Sequence, residues 1–174
     1  MRYDFLIIGS GITGTMIARE LSKYDAKTIV LEKENDAANH ATSANSAIIH
    51  SGYDPDPGSL KAKLNVEGNL LYDVLEKELD IPLYNNGAFM VAHDKDEEGL
   101  LQRYYERAKT NGVPGVEILD QQQARALEKN LADDVTKVLN LPSTKVTYPW
   151  EVAIAALENA VDNGVSFAKN KQVV

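Results

Sequence analysis

The feature that most constrains this chain is Gly9-x-Gly11-x-x-Gly14, set between an apolar run and a helical pattern. Phe5-Leu6-Ile7-Ile8 is continuously apolar and stops at Gly9. Such a run suits a short parallel strand covered on both faces. Beyond Gly14, Ile17, Leu21 and Tyr24 recur at i, i+4 and i+7, which puts them on one helical face. Thr28-Ile29-Val30-Leu31 is a second strand, and it ends in Glu32. Strand, glycine turn, helix and strand in this order make a βαβ unit, so the expected class is α/β and Rossmann-like.

Each glycine has a physical task. Gly9 permits the tight turn, Gly11 lets a pyrophosphate reach the backbone, and Gly14 lets the helix lie close to the strand. Ile12 and Thr13 open that helix, whose free N–H groups and partial positive charge favour phosphate. Glu32 follows Gly14 by 18 residues, where a carboxylate can accept both hydroxyls of an adenosine ribose. A carboxylate there disfavours a 2′-phosphate, which leaves NAD or FAD. The next segment, Thr42-Ser43-Ala44-Asn45-Ser46, interrupts the helix and strand that a nicotinamide domain usually adds. Its hydroxyls and amide suit a second phosphate and a ribityl chain. The same residues also suit a loop fastened by local hydrogen bonds.

Further along, Asp54-Pro55-Asp56-Pro57-Gly58 is a turn. Ser59 then caps a long helix, with Leu60, Leu64, Leu71, Leu75 and Leu79 as its expected inner face and Asp80-Ile81-Pro82 as its end. Residues 87–92 form a strand, and 95–110 a helix closed by Asn111-Gly112. Residues 117–119 form a short strand. Asp120 and Gln123 predict a capping box for residues 121–128. Residues 135–141 and 143–148 are expected to pair as strands around Pro142. Pro149 opens a last helix with Val152, Ala156, Leu157 and Ala160 on its inner face, and Gly164 stops it. A final strand begins at Val165, and the chain ends on Val173-Val174 while still apolar, the mark of a truncated domain.

Composition removes several function classes. The formal net charge of −8 opposes the sign needed to neutralise nucleic-acid phosphates. The chain has no cysteine, which excludes disulfides, thiolate catalysis and cysteine-held metal within it. No apolar stretch reaches the roughly 20 residues of a membrane span. Tyr104 and Tyr105 sit beside Leu100, Leu101 and Ala108 and are expected in a core. Trp150 is read as a packing anchor. The acidic run 94–98 belongs to a helix N-terminus and not to a metal site.

The stretch from Tyr3 to Gly14 resembles the FAD-dependent oxidoreductases of the D-amino-acid oxidase-like superfamily. Thr42-Ser43-Ala44-Asn45-Ser46-Ala47-Ile48-Ile49-His50-Ser51-Gly52-Tyr53, followed by Pro57-Gly58-Ser59-Leu60-Lys61-Ala62-Lys63, is more specific. It resembles the bacterial FAD-dependent glycerol-3-phosphate dehydrogenases, particularly those like the anaerobic A subunit. L-2-hydroxyglutarate oxidases share a similar stretch. The resemblance continues through residues 111–115 and 149–164, so it covers essentially the whole chain.

The resemblance implies a glutathione-reductase-like FAD fold with part of a mixed-sheet substrate domain. Residues 1–80 and 149–174 would belong to the FAD-binding domain and 81–148 to the substrate domain, in the N-terminal part of a longer protein. Gly9, Gly11, Ile12, Thr13 and Gly14 would face the pyrophosphate, with Glu32 and Lys33 at the adenosine. Thr42, Ser43, Asn45 and Ser46 would line the flavin side, and Val173 would sit near adenine. His50 would lie close to the flavin ring as the candidate catalytic group. Lys61 and Lys63 would attract an anionic substrate or form a solvated helix face, and the latter is favoured. The implied reaction is oxidation of glycerol 3-phosphate to dihydroxyacetone phosphate by hydride transfer to the flavin. Electrons would then pass to a quinone, an electron-transfer subunit or oxygen. The implied location is the cytoplasm, with the parent peripheral on the inner membrane face. A 2-hydroxy-acid oxidase, an NAD-dependent dehydrogenase and a fragment that retains no FAD are the competing readings.

Overall fold

The structure, a computed structural model, describes residues 2–174. They form two compact units. The first comprises Met1–Ala47, Leu75–Pro82 and Thr147–Val174; the second comprises Ile48–Val74 and Leu83–Val146.

The first unit is built on β1 (Phe5–Ile8), α1 (Ile12–Leu21) and β2 (Thr28–Leu31). A parallel sheet runs in the order β1, β2 and the last strand, β9 (Ser166–Ala168), and β1 meets β2 in the register Phe5 to Thr28 through Ile8 to Leu31. β2 is the centre strand, so Val30 is fully buried. β1 is an edge strand. Phe5, Leu6 and Ile8 are about half exposed, so the expectation of cover on both faces is not met among the described residues. The expected inner face of α1 is also corrected. Ile17 and Tyr24 are exposed, and Thr15, Ala18 and Arg19 are the buried positions. The small Ala18 packs in one cluster with Ala160 and Leu157 of the last helix.

That last helix carries Val152, Ala153, Ala156, Leu157 and Ala160 inward, as its spacing predicts, and has Pro149 in its first turn. Tyr148 and Trp150 stack at 5.2 Å beside its start. The final strand, Ser166–Ala168, is short. Val173 and Val174 are exposed and outside any strand, so the apolar ending is not the interior of a strand.

The second unit contains β3 (Ile48–Ile49), most of α2 (Leu60–Leu79), β4 (Leu83–Tyr84), β5 (Ala88–Ala92), α3 (Lys95–Asn111), β6 (Glu117–Asp120), α4 (Gln121–Leu127), β7 (Lys137–Leu141) and β8 (Lys145–Thr147). In the first unit, the helix described above is α5 (Pro149–Asp162) and the last strand is β9 (Ser166–Ala168). Local capping chemistry sets the helix ends. Ser59 Oγ accepts from Ala62 N, Asp94 accepts from the N–H groups of Asp96 and Glu97, and Gly112 ends α3 in a left-handed turn. The Asp120–Gln123 capping box forms as predicted.

Two long-range expectations fail here. β7 and β8 do not pair with each other. β7 is the centre of an antiparallel sheet β5-β7-β6, so both its edges are taken, and β8 lies between β3 and β4. On α2, Leu60, Leu64 and Leu71 point outward, and only Leu75 of the expected face is fully buried. Ala62, Val66, Asn69 and Asp73 form a second helical face, and the buried Lys145 pairs with Asp73 while Val66 packs against Gly52. Tyr104 and Tyr105 do pack on the core of Leu101, Ala108, Leu139 and Leu141.

Candidate functional site

The glycine turn sits at the end of β1, where the chain must reverse into α1. Gly9 has φ +95°, a conformation that L side chains rarely adopt, and its N–H donates to Leu31 O at 2.8 Å. A Cβ on Gly14 would stand 2.1 Å from Gly9 O, so the helix can lie this close to the turn only with glycine there. Gly11 is the N-cap residue of α1 and has no side chain to offer a hydrogen bond. Thr42 fills that role from 30 residues away, its Oγ1 accepting from Ile12 N at 3.1 Å. A Cβ on Gly11 would come within 3.1 Å of the same Thr42 oxygen.

Two cavities flank the turn, each of about 340 Å³, and both are lined by Ile8, Gly9 and Gly11. Ile12, Thr13, Gly14, Thr42 and Asn45 line the first. Glu32, Lys33, His40, Lys171 and Val173 line the second. The structure thus brings together ten of the sequence-derived positions around one backbone turn.

Glu32 is 8% exposed and its carboxylate is anchored on both oxygens. Oε2 accepts from Ser10 N at 2.7 Å and Ser10 Oγ at 2.8 Å, and Oε1 accepts from Glu34 N at 3.0 Å. Burial pushes the carboxyl up. The N–H groups of Glu34 and Ser10, the Ser10 hydroxyl and the Lys33 N–H outweigh it and hold the carboxyl below its ordinary value. Glu32 is therefore a fixed anion at neutral pH, and a carboxylate with about four acceptor positions keeps capacity for a ligand hydroxyl. Ser10 is fully buried and orients Glu32. Its position between two glycines gave no sequence signal for that role.

The loop after Glu32 is tied by its own polar groups. Ser43 Oγ donates to Ala38 O. Asn45 Nδ2 donates to Ala41 O at 3.0 Å and Thr42 O at 2.9 Å, and its Oδ1 accepts from Ala47 N. Ser46 is exposed. Ala38, His40 and Ala47 all have φ between 61° and 65°, a left-handed conformation that costs a non-glycine residue on the order of 1 kcal/mol. Such conformations persist where surrounding contacts fix the loop. The C-terminal residues join this region: Lys171 N donates to Glu32 O and Asn170 N to Glu34 O.

His50 lies in the second unit. It is exposed and lines a separate cavity of about 160 Å³ with Gly52, Tyr53, Asp54, Lys61 and Asn65. Lys61 is exposed at that cavity, and Lys63 is exposed with Glu67 3.9 Å away. Among the described residues there is no cluster of groups that could hold a metal ion, and no helix is long and apolar enough to cross a membrane.

A family model described as FAD dependent oxidoreductase matches residues 4–174. A glycerol 3-phosphate dehydrogenase of Caloramator mitchellensis is 45% identical over 172 residues, 99% of this chain and 36% of that protein. The human mitochondrial L-2-hydroxyglutarate dehydrogenase is 35% identical over 174 residues, 98% of this chain and 37% of that protein. Among solved structures, dithionite-reduced L-alpha-glycerophosphate oxidase from Mycoplasma pneumoniae with FAD bound superposes with a TM-score of 0.92 at 27% identity, over 100% of this chain and 46% of that one. The chain spans less than half the length of each of these proteins.

Proposed function

The chain belongs to the FAD-dependent oxidoreductase family, and from that premise we propose that it forms part of an enzyme that oxidises glycerol 3-phosphate to dihydroxyacetone phosphate. The observation that carries the cofactor half of this reading is the turn at Gly9–Gly14. An N-cap without a side chain, a cavity at the first turn of α1 and a fixed carboxylate at the next strand end fit FAD. When bound, FAD supplies the hydride acceptor. The chain's own residues supply its seat. Gly11, Ile12 and Thr13 would line the pyrophosphate at the helix N-terminus, where Thr42 already takes the Ile12 N–H and the later N–H groups of the first turn are left for phosphate, and Glu32 would accept the ribose hydroxyls. Thr42 and Asn45 would close the phosphate side, with Ser43 and Ser46 on the same loop, Lys33 beside Glu32 and Val173 at the adenine side.

The substrate half rests on the likeness to the glycerol 3-phosphate dehydrogenase at 45% identity and to the glycerophosphate oxidase structure. His50, exposed at its own cavity, is the group we assign to the substrate side. It would accept the hydroxyl proton, since an imidazole can do so near neutral pH. A 2-hydroxy acid is the second reading, favoured by the likeness to the L-2-hydroxyglutarate dehydrogenase.

Titration of FAD into the purified chain, followed by flavin fluorescence, tests the first half. Saturable binding is expected in the parent and its loss in Gly11→Val, whose side chain would enter the phosphate cavity. Equal binding by both proteins contradicts the pyrophosphate assignment. Anaerobic addition of glycerol 3-phosphate or L-2-hydroxyglutarate to the FAD-loaded full-length protein, of which this chain is a part, separates the two substrates by which one bleaches the flavin. His50→Ala is expected to slow that bleaching without lowering flavin content.

A further inference from the structure

The loop that follows His50 has its carbonyl groups drawn onto side chains of two helices. Asn69 on α2 is 3% exposed, and its Nδ2 donates to His50 O at 3.2 Å, Ser143 O at 2.8 Å and, more weakly, Ile49 O at 3.4 Å. Asn111 at the end of α3 donates to Gly52 O and Pro55 O, both at 2.9 Å. Arg107 on α3 donates to Asp54 O at 2.5 Å and pairs with the Asp56 carboxylate at 3.1 Å. Carbonyls in a folded chain are mostly satisfied by sheet or helix partners. Here side-chain donors satisfy one carbonyl after another along a single stretch.

The donors are themselves fixed. The buried Lys145 Nζ donates to Asn69 O at 3.1 Å and to Asp73 Oδ1 at 2.6 Å. Gly52, with φ +100°, lies so close to α2 that a Cβ would meet Val66 Cγ2 at 2.5 Å. A loop tied this way is held in its conformation, because leaving it breaks the bonds of the buried Asn69 amide and of Asn111. The side chains leaving it, His50 and Tyr53, line the small cavity with Lys61.

We propose that Asn69 and Asn111 are positioning residues, which set the backbone of the loop from His50 to Pro55 and so the direction from which His50 meets the substrate. The proposal rests on the reading above for what His50 does. Its structural part is independent of that reading. Asn69 acts on His50 directly, through the carbonyl of that residue. Asn111 acts from the far side of the same loop.

Nuclear magnetic resonance on the full 174-residue chain tests this, because the only histidines are His40, His50 and His93. In Asn69→Asp the donor becomes an acceptor facing three carbonyls. The His50 amide and ring signals are expected to shift and split into more than one set, with those of His40 and His93 unmoved. Asn111→Ser is expected to displace the Gly52 and Tyr53 amides and, to a smaller extent, the His50 ring. It also decides the question if Asn69→Asp does not fold. A folded variant of either kind with unchanged His50 signals overturns the proposal. In the FAD-loaded full-length protein, Asn69→Asp and His50→Ala should each slow flavin bleaching by glycerol 3-phosphate, by roughly 10- to 100-fold for a misplaced group, with KM little changed. The double variant should be no slower than His50→Ala, and additive losses would show that Asn69 does not act through His50. If His50→Ala bleaches like the parent, the assigned role of His50 fails, and the resonance result still decides the clamp.

Discussion

Replacing Gly14 with alanine isolates the close approach on which the glycine turn depends. The new Cβ would lie 2.1 Å from Gly9 O, 3.2 Å from Gly9 C and 3.3 Å from Ile7 Cγ2. Ordinary contact begins near 3.4 Å, so α1 must retreat by about 1.3 Å from the turn. The obstacle is backbone and cannot rotate away. A gap of roughly 0.5–1 Å already forfeits a quarter to a half of each dispersion contact, and α1 packs against β2 and α5 through fully buried Ala18. Overpacking of this kind costs about 3 kcal/mol at the upper end of its usual range. Alanine returns about 1 kcal/mol through its better helix propensity. The net loss is about 2 kcal/mol, which for a chain of this size lowers Tm by roughly 4–8 °C. Thermal unfolding followed by circular dichroism measures it. Gly11→Ala is the internal control, because its backbone is extended at φ −71°, ψ 174°, and its Cβ meets only the Thr42 hydroxyl at 3.1 Å. The control should melt close to the parent. If Gly14→Ala melts with the control, the approach of α1 to the turn does not depend on glycine and the reasoning is refuted.

Three further outcomes follow from other contacts. Glu32→Gln turns an acceptor toward Ser10 into an amide and leaves a buried N–H or hydroxyl unpaired, which should cost about 1–3 kcal/mol and weaken FAD binding together; unchanged denaturant midpoints would count against the anchoring. Lys95 and Lys137, each 3.0 Å from Glu98 Oε2, hold that carboxyl down to about 2 against an ordinary value of 4.5, with the Thr136 hydroxyl adding to the effect. Because the folded value is depressed, the stabilisation is complete above about 4.5 and is lost as pH falls toward about 2. Glu98→Gln should therefore flatten the dependence of Tm on pH in that window, and a parallel curve would remove Glu98 from acid unfolding. Gly52→Ala combines φ +100° with a 2.5 Å overlap on Val66 Cγ2 and should destabilise by about 2 kcal/mol or more, read by urea unfolding.

What the sequence made legible was local. The glycine spacing, the caps at Ser59 and Asp120, the acidic start of α3 and Pro149 are each decided within a few residues, and the structure contains them all. The failures concern choices made by distant partners. Nothing near Lys137 or Lys145 says which strand lies beside it, so proximity in the chain suggests a β7–β8 pair that the structure does not form. On α2 two faces share the same spacing. Leucines at helical spacing point to one face, whereas the structure places Asn69, Asp73 and the buried Lys145 together on the other. The donor roles of Asn69 and Asn111 are hidden for the same reason, since an asparagine on a helix declares no such role until the carbonyls it serves are in place.

Gly11 and Thr42 show how the two kinds of information meet. A helix start normally takes Ser, Thr, Asp or Asn at the N-cap, and replacing one with alanine costs about 1 kcal/mol. Such a residue at position 11 would put a side chain where the cavity at the first turn of α1 opens. The glycine keeps that space clear but leaves the first turn uncapped. The missing acceptor comes from Thr42, at the end of a loop held in left-handed turns at Ala38, His40 and Ala47. The loop strain and the glycine are thus two parts of one arrangement: the cap is supplied from the side, so the helix N-terminus stays open to an anion. The pattern Gly-x-Gly-x-x-Gly records the open half in adjacent residues, and the Thr42 half exists only once the chain has folded back 30 residues later.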